Sequence, residues 1–153
     1  MSVGRVYQAP GQWIVVANES LAILYRRSNS RSPLEDTGRL ENPAARIRAA
    51  DIDADRSGRV FDRHGTGRHG LDRELHGAMR NASREFARRL ARRLEEARHA
   101  GEFDQFVLVA APRFLGELRA ALATTNLPAP AAAIDKDVVT RDPSFLRGLL
   151  AGA

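Results

Sequence analysis

The residues best suited to chemistry lie in one segment that is rich in glycine, arginine and histidine. Residues 55–70, here called the basic loop, contain four glycines, four arginines and two histidines. Glycine lets the backbone adopt positive φ and approach a ligand closely, and the planar guanidinium of arginine donates several hydrogen bonds to phosphate or carboxylate. An ordinary solvated loop could share this composition. The segment stands between predicted strands and a predicted helix, however, so we interpret it as a working loop for an anionic ligand.

The candidate binding residues continue from this loop onto the helix that follows it. There, arginines recur every four residues and therefore fall on one line, where they could follow successive phosphates. Glu85 stands four residues before Arg89, and Arg92 stands four residues before Glu96. These spacings are equally consistent with an ordinary solvated helix face whose charged side chains pair with one another. The predicted nucleic-acid-binding residues are Arg56, Arg59, Arg63, His64, Gly65, Gly67, Arg68, His69, Arg84, Arg88 and Arg92.

Patterns for catalysis or metal binding are weak. The alternating aspartates of residues 51–55 resemble a calcium loop, but Arg56 stands where such a loop needs glycine. The loop histidines have no fixed third ligand, and no Gly-x-Ser-x-Gly nucleophile elbow occurs. We therefore predict no catalytic residue, no metal and no cofactor. The alternative is a hydrolase, esterase-like or nuclease-like, that uses Asp62, His64 and His69.

Composition narrows the class of protein. The chain has 153 residues and a net charge of +5, and all but one of its 24 cationic residues are arginine. Such a charge favours anionic partners, nucleic acid among them. The lack of cysteine excludes disulfides, thiol catalysis and cysteine-ligated zinc. No apolar run approaches the roughly 18 residues of a transmembrane helix, and no signal-peptide pattern is read at the N-terminus, so we expect a cytoplasmic protein.

Apolar runs rich in β-branched residues predict the strands that must support the loop. Four strands are expected at 13–17, 21–25, 106–110 and 131–134, and a weaker one within 34–41. The turn residues Asn18, Glu19 and Ser20 join the first two strands as a hairpin. A loop is expected from about 51 to 77.

Apolar residues at helical spacing predict the helices. They are expected at 43–50, 80–100 and 112–123 and after Asp142. The helix 80–100 should bury one stripe, formed by Phe86, Ala87, Leu90, Leu94 and Ala97. The last helix should turn four apolar residues inward, namely Phe145, Leu146, Leu149 and Leu150.

The element order β-β-β-α-β-α-β-α places antiparallel strands first and parallel β-α units after them. It predicts an α/β fold, with a mixed sheet flanked by helices as in the ribonuclease H-like fold and with the long basic loop inserted before the main helix. We expect a single domain over residues 1–153, with a flexible lead-in at 1–11.

Seven segments carry a family resemblance. They are Trp13–Ala17, Glu41–Pro43, Asp55–Asp62, Gly67–His69, Phe103–Ala110, Pro112–Gly116 and Ile134–Asp137. In this order, over about residues 12–140, they resemble the bacterial host attachment protein family, which is named for a proposed requirement in bacterial attachment to host cells. The family name implies attachment or surface interaction and says little about mechanism.

A more distant resemblance concerns the basic loop and its helix. The chain is similar to the middle domain of archaeal and eukaryotic peptide-chain release factors, in which a Gly-Gly-Gln loop precedes a long basic helix in a ribonuclease H-like fold. Here His64–His69 precedes the arginine-rich helix, but no glutamine stands beside Gly65 or Gly67. The resemblance therefore implies a basic loop that reaches RNA or the ribosome, and it does not imply peptide release. The sequence favours a non-enzymatic module that binds RNA or the ribosome over the hydrolase and the surface-interaction protein.

Overall fold

A computed structural model describes residues 11–45 and 68–152. In chain order the elements are β1 (Gln12–Ala17), β2 (Leu21–Arg27), β3 (Glu35–Glu41), α1 (Arg68–His99), β4 (Gln105–Ala110), α2 (Pro112–Leu122), β5 (Ala132–Ile134) and α3 (Pro143–Ala151). Residues 43–45 are also helical. The five predicted strands are confirmed to within two residues at each end. Among the residues described, no helix has the length and apolarity needed to cross a membrane.

The five strands form one mixed sheet in the order β3-β2-β1-β4-β5. β1 pairs antiparallel with β2, and β2 with β3, whereas β4 runs parallel to both β1 and β5. The hairpin between β1 and β2 turns at Asn18, whose side-chain oxygen accepts hydrogen bonds from the backbone of Ser20 and Leu21 at 2.9 and 3.0 Å. Such side-chain acceptors stabilise a tight turn. The predicted α/β class and the predicted hairpin are confirmed.

Helices cover both faces of the sheet. On one face, alternate strand residues such as Trp13, Val15 and Leu108 pack beneath α1 and α2. On the other face, Ile14, Val16 and Val109 pack with α3, which contributes Leu146 and Leu150. β1 and β4 are thus buried on both sides, which explains why each reads as a continuous apolar run rather than as an alternating one.

The long helix α1 packs through the stripe predicted from its spacing. Phe86, Ala87, Leu90, Leu94 and Ala97 are all buried, and the Phe86 ring lies against Phe114 of α2 with ring centroids 5.6 Å apart. Gly101, two residues beyond the end of the helix, has a φ of 75° and terminates it. The Gly101 N–H donates to Arg98 O and the Glu102 N–H to Ala97 O, the pair of bonds that satisfies the last carbonyls of a helix.

The prediction that α1 begins near residue 80 was wrong, because the helix begins at Arg68. Gly77 is helical, and a glycine inside a helix costs only about 1 kcal/mol relative to alanine. Leu75, Met79 and Ala82 are half-buried at helical spacing, and this packing outweighs the glycine. Residues 68–77, expected in the loop, therefore belong to α1. The rest of the basic loop, residues 55–67, lies outside the described residues.

The prediction that Phe145 points inward was also wrong. Its side chain is 40% exposed, and the Arg141 guanidinium carbon lies 4.3 Å from the centre of its ring. A helix of nine residues presents one narrow stripe to the sheet, and Leu146 and Leu150 occupy it. Asp142 begins this helix as expected, because its carboxylate accepts a hydrogen bond from the Phe145 N–H at 3.0 Å.

Candidate nucleic-acid interface

The three parallel strands β1, β4 and β5 end at the same edge of the sheet, where polar segments meet. The Ala111 N–H, just after β4, donates to Ala17 O at the end of β1 at 3.1 Å. The Asn18 side-chain amide lies 3.3 Å from both carboxylate oxygens of Asp137, which follows β5. This edge is therefore held together across all three strands. In open α/β sheets, ligands bind at the carboxyl ends of the strands.

A cavity of about 770 Å³ opens beside this edge, where α1 faces the turn after β1 and the first turn of α2. We call it the edge cavity. It is lined by Glu19, Ala45, Arg73, His76, Met79, Arg80, Ser83, Arg113 and Glu117. Three arginines and two carboxylates thus share one space, whose volume falls in the range of small-ligand sites.

Two polar tethers fix the walls of the edge cavity. The hydroxyl of Ser83, a buried residue of α1, donates to Oε2 of Glu117 on α2. Asn42 is also buried, and its side-chain amide donates to Glu19 O at 2.8 Å and to Ala82 O at 3.3 Å. Buried polar groups in folded proteins are almost always hydrogen-bonded. These bonds therefore hold α1, α2 and the turn after β1 in a fixed arrangement.

A second opening, of about 520 Å³, continues along the outer side of α1 and α2. We call it the interhelix groove. It is lined by Arg84, Arg88, Gly116, Glu117, Ala120, Ala121 and Thr124. Small residues on α2 leave this space open, and Glu117 lines both the groove and the edge cavity. The two spaces therefore adjoin.

Five exposed arginines border these two spaces. We call them the arginine row, which consists of Arg73, Arg80, Arg84, Arg88 and Arg113. The four on α1 follow one another at spacings of seven, four and four residues, so they lie along one side of the helix over about 22 Å. Within residues 11–45 and 68–152, none of the five forms an ion pair. All five are exposed, so an anionic ligand can reach them.

The other arginines on α1 have different roles. Arg89 donates to Glu41 O at 2.8 Å and lies over the Phe86 ring. Arg93 pairs with Glu102 at 3.5 Å and lies over the Trp13 ring. The ion pairs expected along the helix, from Glu85 to Arg89 and from Arg92 to Glu96, are not formed in the part of the chain that is described. α1 thus uses some arginines for packing and leaves others to solvent.

Of the predicted binding residues, the structure brings Arg84 and Arg88 together in the interhelix groove. Arg92, one turn further along, is exposed and lines neither space. Arg68 and His69 lie in the first turn of α1, and their side chains are outside the described part. The remaining predicted residues are also outside it, namely Arg56, Arg59, Arg63, His64, Gly65 and Gly67.

Sequence reasoning missed three residues of the arginine row. Arg73 lies in the segment that was expected to be a loop. Arg80 stands at the expected start of the helix and continues the four-residue spacing of Arg84 and Arg88, but it was not named as a binding residue. Arg113 follows the end of a predicted parallel strand, and that position could have identified it.

The described residues contain no group of three or more histidine, aspartate or glutamate side chains that could hold a metal ion. The hydrolase alternative depends on Asp62, His64 and His69. The first two residues and the side chain of the third lie outside the described part of the chain.

Comparison with known proteins places the chain in a family. No curated protein sequence matches it. A family model described as "Protein required for attachment to host cells" matches residues 13–150. The match runs from β1 to α3 and includes the whole arginine row. Because it covers far more than half of the chain, the protein belongs to the family of proteins required for attachment to host cells.

Proposed function

We propose that this protein is a non-enzymatic binding module that engages RNA, free or on the ribosome, through the arginine row. One observation carries the proposal: five exposed arginines border two adjoining spaces along one side of α1 and the start of α2. Guanidinium groups match the geometry of phosphate oxygens and remain charged at every physiological pH. The net charge of +5 adds a general attraction for polyanions.

The length of the row favours a polymer over a single phosphate. The four arginines of α1 extend over about 22 Å, and nucleic-acid strands rise by about 3.4 Å per nucleotide in a duplex. The row is therefore long enough to meet several successive phosphates of an RNA strand. A single small anion would occupy only part of it.

We also propose that the sheet has ribonuclease H-like topology and that the basic loop extends the RNA surface beyond α1. The strand order β3-β2-β1-β4-β5, with an antiparallel half and a parallel half, supports this topology. The resemblance to the middle domain of release factors supports an RNA or ribosomal partner by analogy of fold and basic helix. The protein would then act in the cytoplasm, and its role in attachment would be indirect.

The family description favours a second candidate function, which is direct interaction at the cell surface. The two functions differ in where the protein is found. In intact cells of the native bacterium, external protease should leave a cytoplasmic RNA-binding protein uncut. Digestion without lysis would favour the surface role.

The RNA proposal is tested by comparing two double variants with the same change in charge. Arg84→Gln/Arg88→Gln alters the interhelix groove, and glutamine keeps a helix propensity similar to that of arginine. The control, Arg31→Gln/Arg147→Gln, alters exposed arginines of the β2–β3 loop and of α3, away from the row. In fluorescence anisotropy with a labelled RNA of about 20 nucleotides, the groove variant should bind at least roughly tenfold more weakly than the parent. No binding by the parent, or an equal loss in both variants, would refute the proposal.

A further inference from the structure

We propose that the edge cavity, whose three arginines also belong to the arginine row, binds a small phosphate ester that carries vicinal hydroxyl groups, such as a ribose phosphate or a nucleoside monophosphate. This inference goes beyond the RNA-binding proposal, because it concerns the edge cavity and does not need the interhelix groove. The argument rests on which side chains line the cavity and on what each can donate or accept.

The cationic part of the cavity suits a terminal phosphate. Arg73 and Arg80 stand two turns apart on α1, and Arg113 approaches from α2. Three guanidinium groups from two helices thus border one space. A phosphate monoester offers three terminal oxygens, and each can accept hydrogen bonds from a guanidinium fork.

The acidic part of the cavity makes a bare anion a poor occupant. Glu19 and Glu117 line the same space as the three arginines. Ionised carboxylates only accept hydrogen bonds, so the ligand must present donors where it meets them. The Ser83 hydroxyl already occupies Oε2 of Glu117, which leaves Oε1 as an acceptor. A sugar's vicinal hydroxyls are donors of the required kind, and nucleotide-binding proteins commonly hold ribose hydroxyls with a carboxylate.

Apolar side chains complete the wall. Met79 and Ala45 also line the cavity, and the polarisable thioether of methionine makes favourable contacts with aromatic rings. A nucleobase could lie there, so a nucleoside monophosphate should bind more tightly than ribose 5-phosphate alone. A volume of about 770 Å³ accommodates a ligand of this size.

Isothermal titration calorimetry on the full chain tests the site with defined probes. AMP and ribose 5-phosphate should bind. Adenosine, 2′-deoxy-AMP and inorganic phosphate should each bind at least about tenfold more weakly than AMP, because each lacks the phosphate, the vicinal hydroxyls or the sugar. Failure of both AMP and ribose 5-phosphate to bind at millimolar concentration would overturn the proposal. Equal affinity for AMP and inorganic phosphate would also overturn it, since a general anion site would explain that result.

Two single variants locate the binding. Arg113→Gln changes a residue that lines only the edge cavity and should weaken AMP binding by about tenfold or more. Arg88→Gln changes a residue that lines only the interhelix groove and should leave AMP affinity unchanged within about twofold. Equal effects of the two changes would overturn the placement. Loss of RNA binding in Arg84→Gln/Arg88→Gln with AMP binding retained would support both proposals, whereas AMP binding by a protein that binds no RNA would support this one alone.

Discussion

Loss of Asn42 should destabilise the arrangement of elements that forms the edge cavity. Asn42 is buried between the turn after β1 and the long helix α1, and its side-chain amide donates to the backbone carbonyls of Glu19 and Ala82. Asn42→Ala removes both donors. The two carbonyl oxygens lose these hydrogen bonds at a partly buried site.

The expected loss of stability follows from these two hydrogen bonds. An intramolecular hydrogen bond contributes a net stabilisation of about 0.5–1.5 kcal/mol, so Asn42→Ala should lower the free energy of unfolding by about 1–3 kcal/mol. For a chain of 153 residues, this corresponds to a fall in Tm of roughly 2–12 °C. Asn42→Asp should lower the free energy of unfolding further at neutral pH, because an ionised carboxylate cannot donate a hydrogen bond and would lie against two carbonyl oxygens. Its excess cost should shrink at acidic pH as that carboxyl group is protonated.

Urea unfolding followed by fluorescence measures these changes, since Trp13 is the single tryptophan and is buried. Asn29→Ala is a matched control. Asn29 accepts hydrogen bonds from Arg31 and Ser32 in an exposed turn, so its loss should cost less than that of Asn42. The reasoning fails if the free energy of unfolding of Asn42→Ala lies within about 0.5 kcal/mol of that of the parent. It also fails if the Asp and Ala variants are equally stable at pH 7.

Further predictions concern α1, α3 and the effect of acid. Leu90→Ala should lower the free energy of unfolding by about 2–5 kcal/mol, because Leu90 is fully buried. Arg92→Ala, on the exposed side of the helix, should change the free energy of unfolding by no more than about 0.5 kcal/mol. Urea denaturation compares the two variants. Hydrogen bonds from Ser144 and from the Phe145 backbone hold the pKa of Asp142 below its usual value. A carboxyl group whose pKa is lower in the folded state contributes to stability at pH values above the usual aspartate range. That contribution is lost as the pH falls through the pKa of the folded state. Asp142→Ala should therefore be less stable than the parent at pH 7, and the difference should narrow below about pH 4; a constant difference across that range would contradict the assignment.

The sheet and its helices could be predicted from the sequence because their signals are local. The run Trp13–Ala17 reads as a buried strand, and the Phe86, Leu90 and Leu94 spacing reads as one face of a helix, whatever the remaining structure is. The start of α1 could not be predicted, because Gly70 and Gly77 interrupt the pattern and half-buried packing at Leu75 and Met79 decides the outcome.

The candidate site was less predictable than the fold, because it is assembled from distant parts of the chain. The α1 spacing predicted Arg84 and Arg88, but only the tertiary structure brings α2 alongside them. The hydrogen bond from Ser83 to Glu117 joins residues 34 positions apart, and no sequence period links them. Arg89 was expected to pair with Glu85, yet it donates to a backbone carbonyl of β3, a partner that side-chain patterns do not reveal.

The salt dependence of RNA binding tests the central claim most directly, because it reports how many phosphates the protein neutralises. Five arginines that contact a single-stranded RNA should give a slope of about −3 to −4 in a plot of log affinity against log salt concentration, at about −0.7 per contact. Arg84→Gln/Arg88→Gln should reduce the steepness of that slope by about 1.4, and Arg31→Gln/Arg147→Gln should leave it unchanged. A slope near zero for the parent, or the same slope for the parent and the groove variant, would contradict phosphate contact by the arginine row.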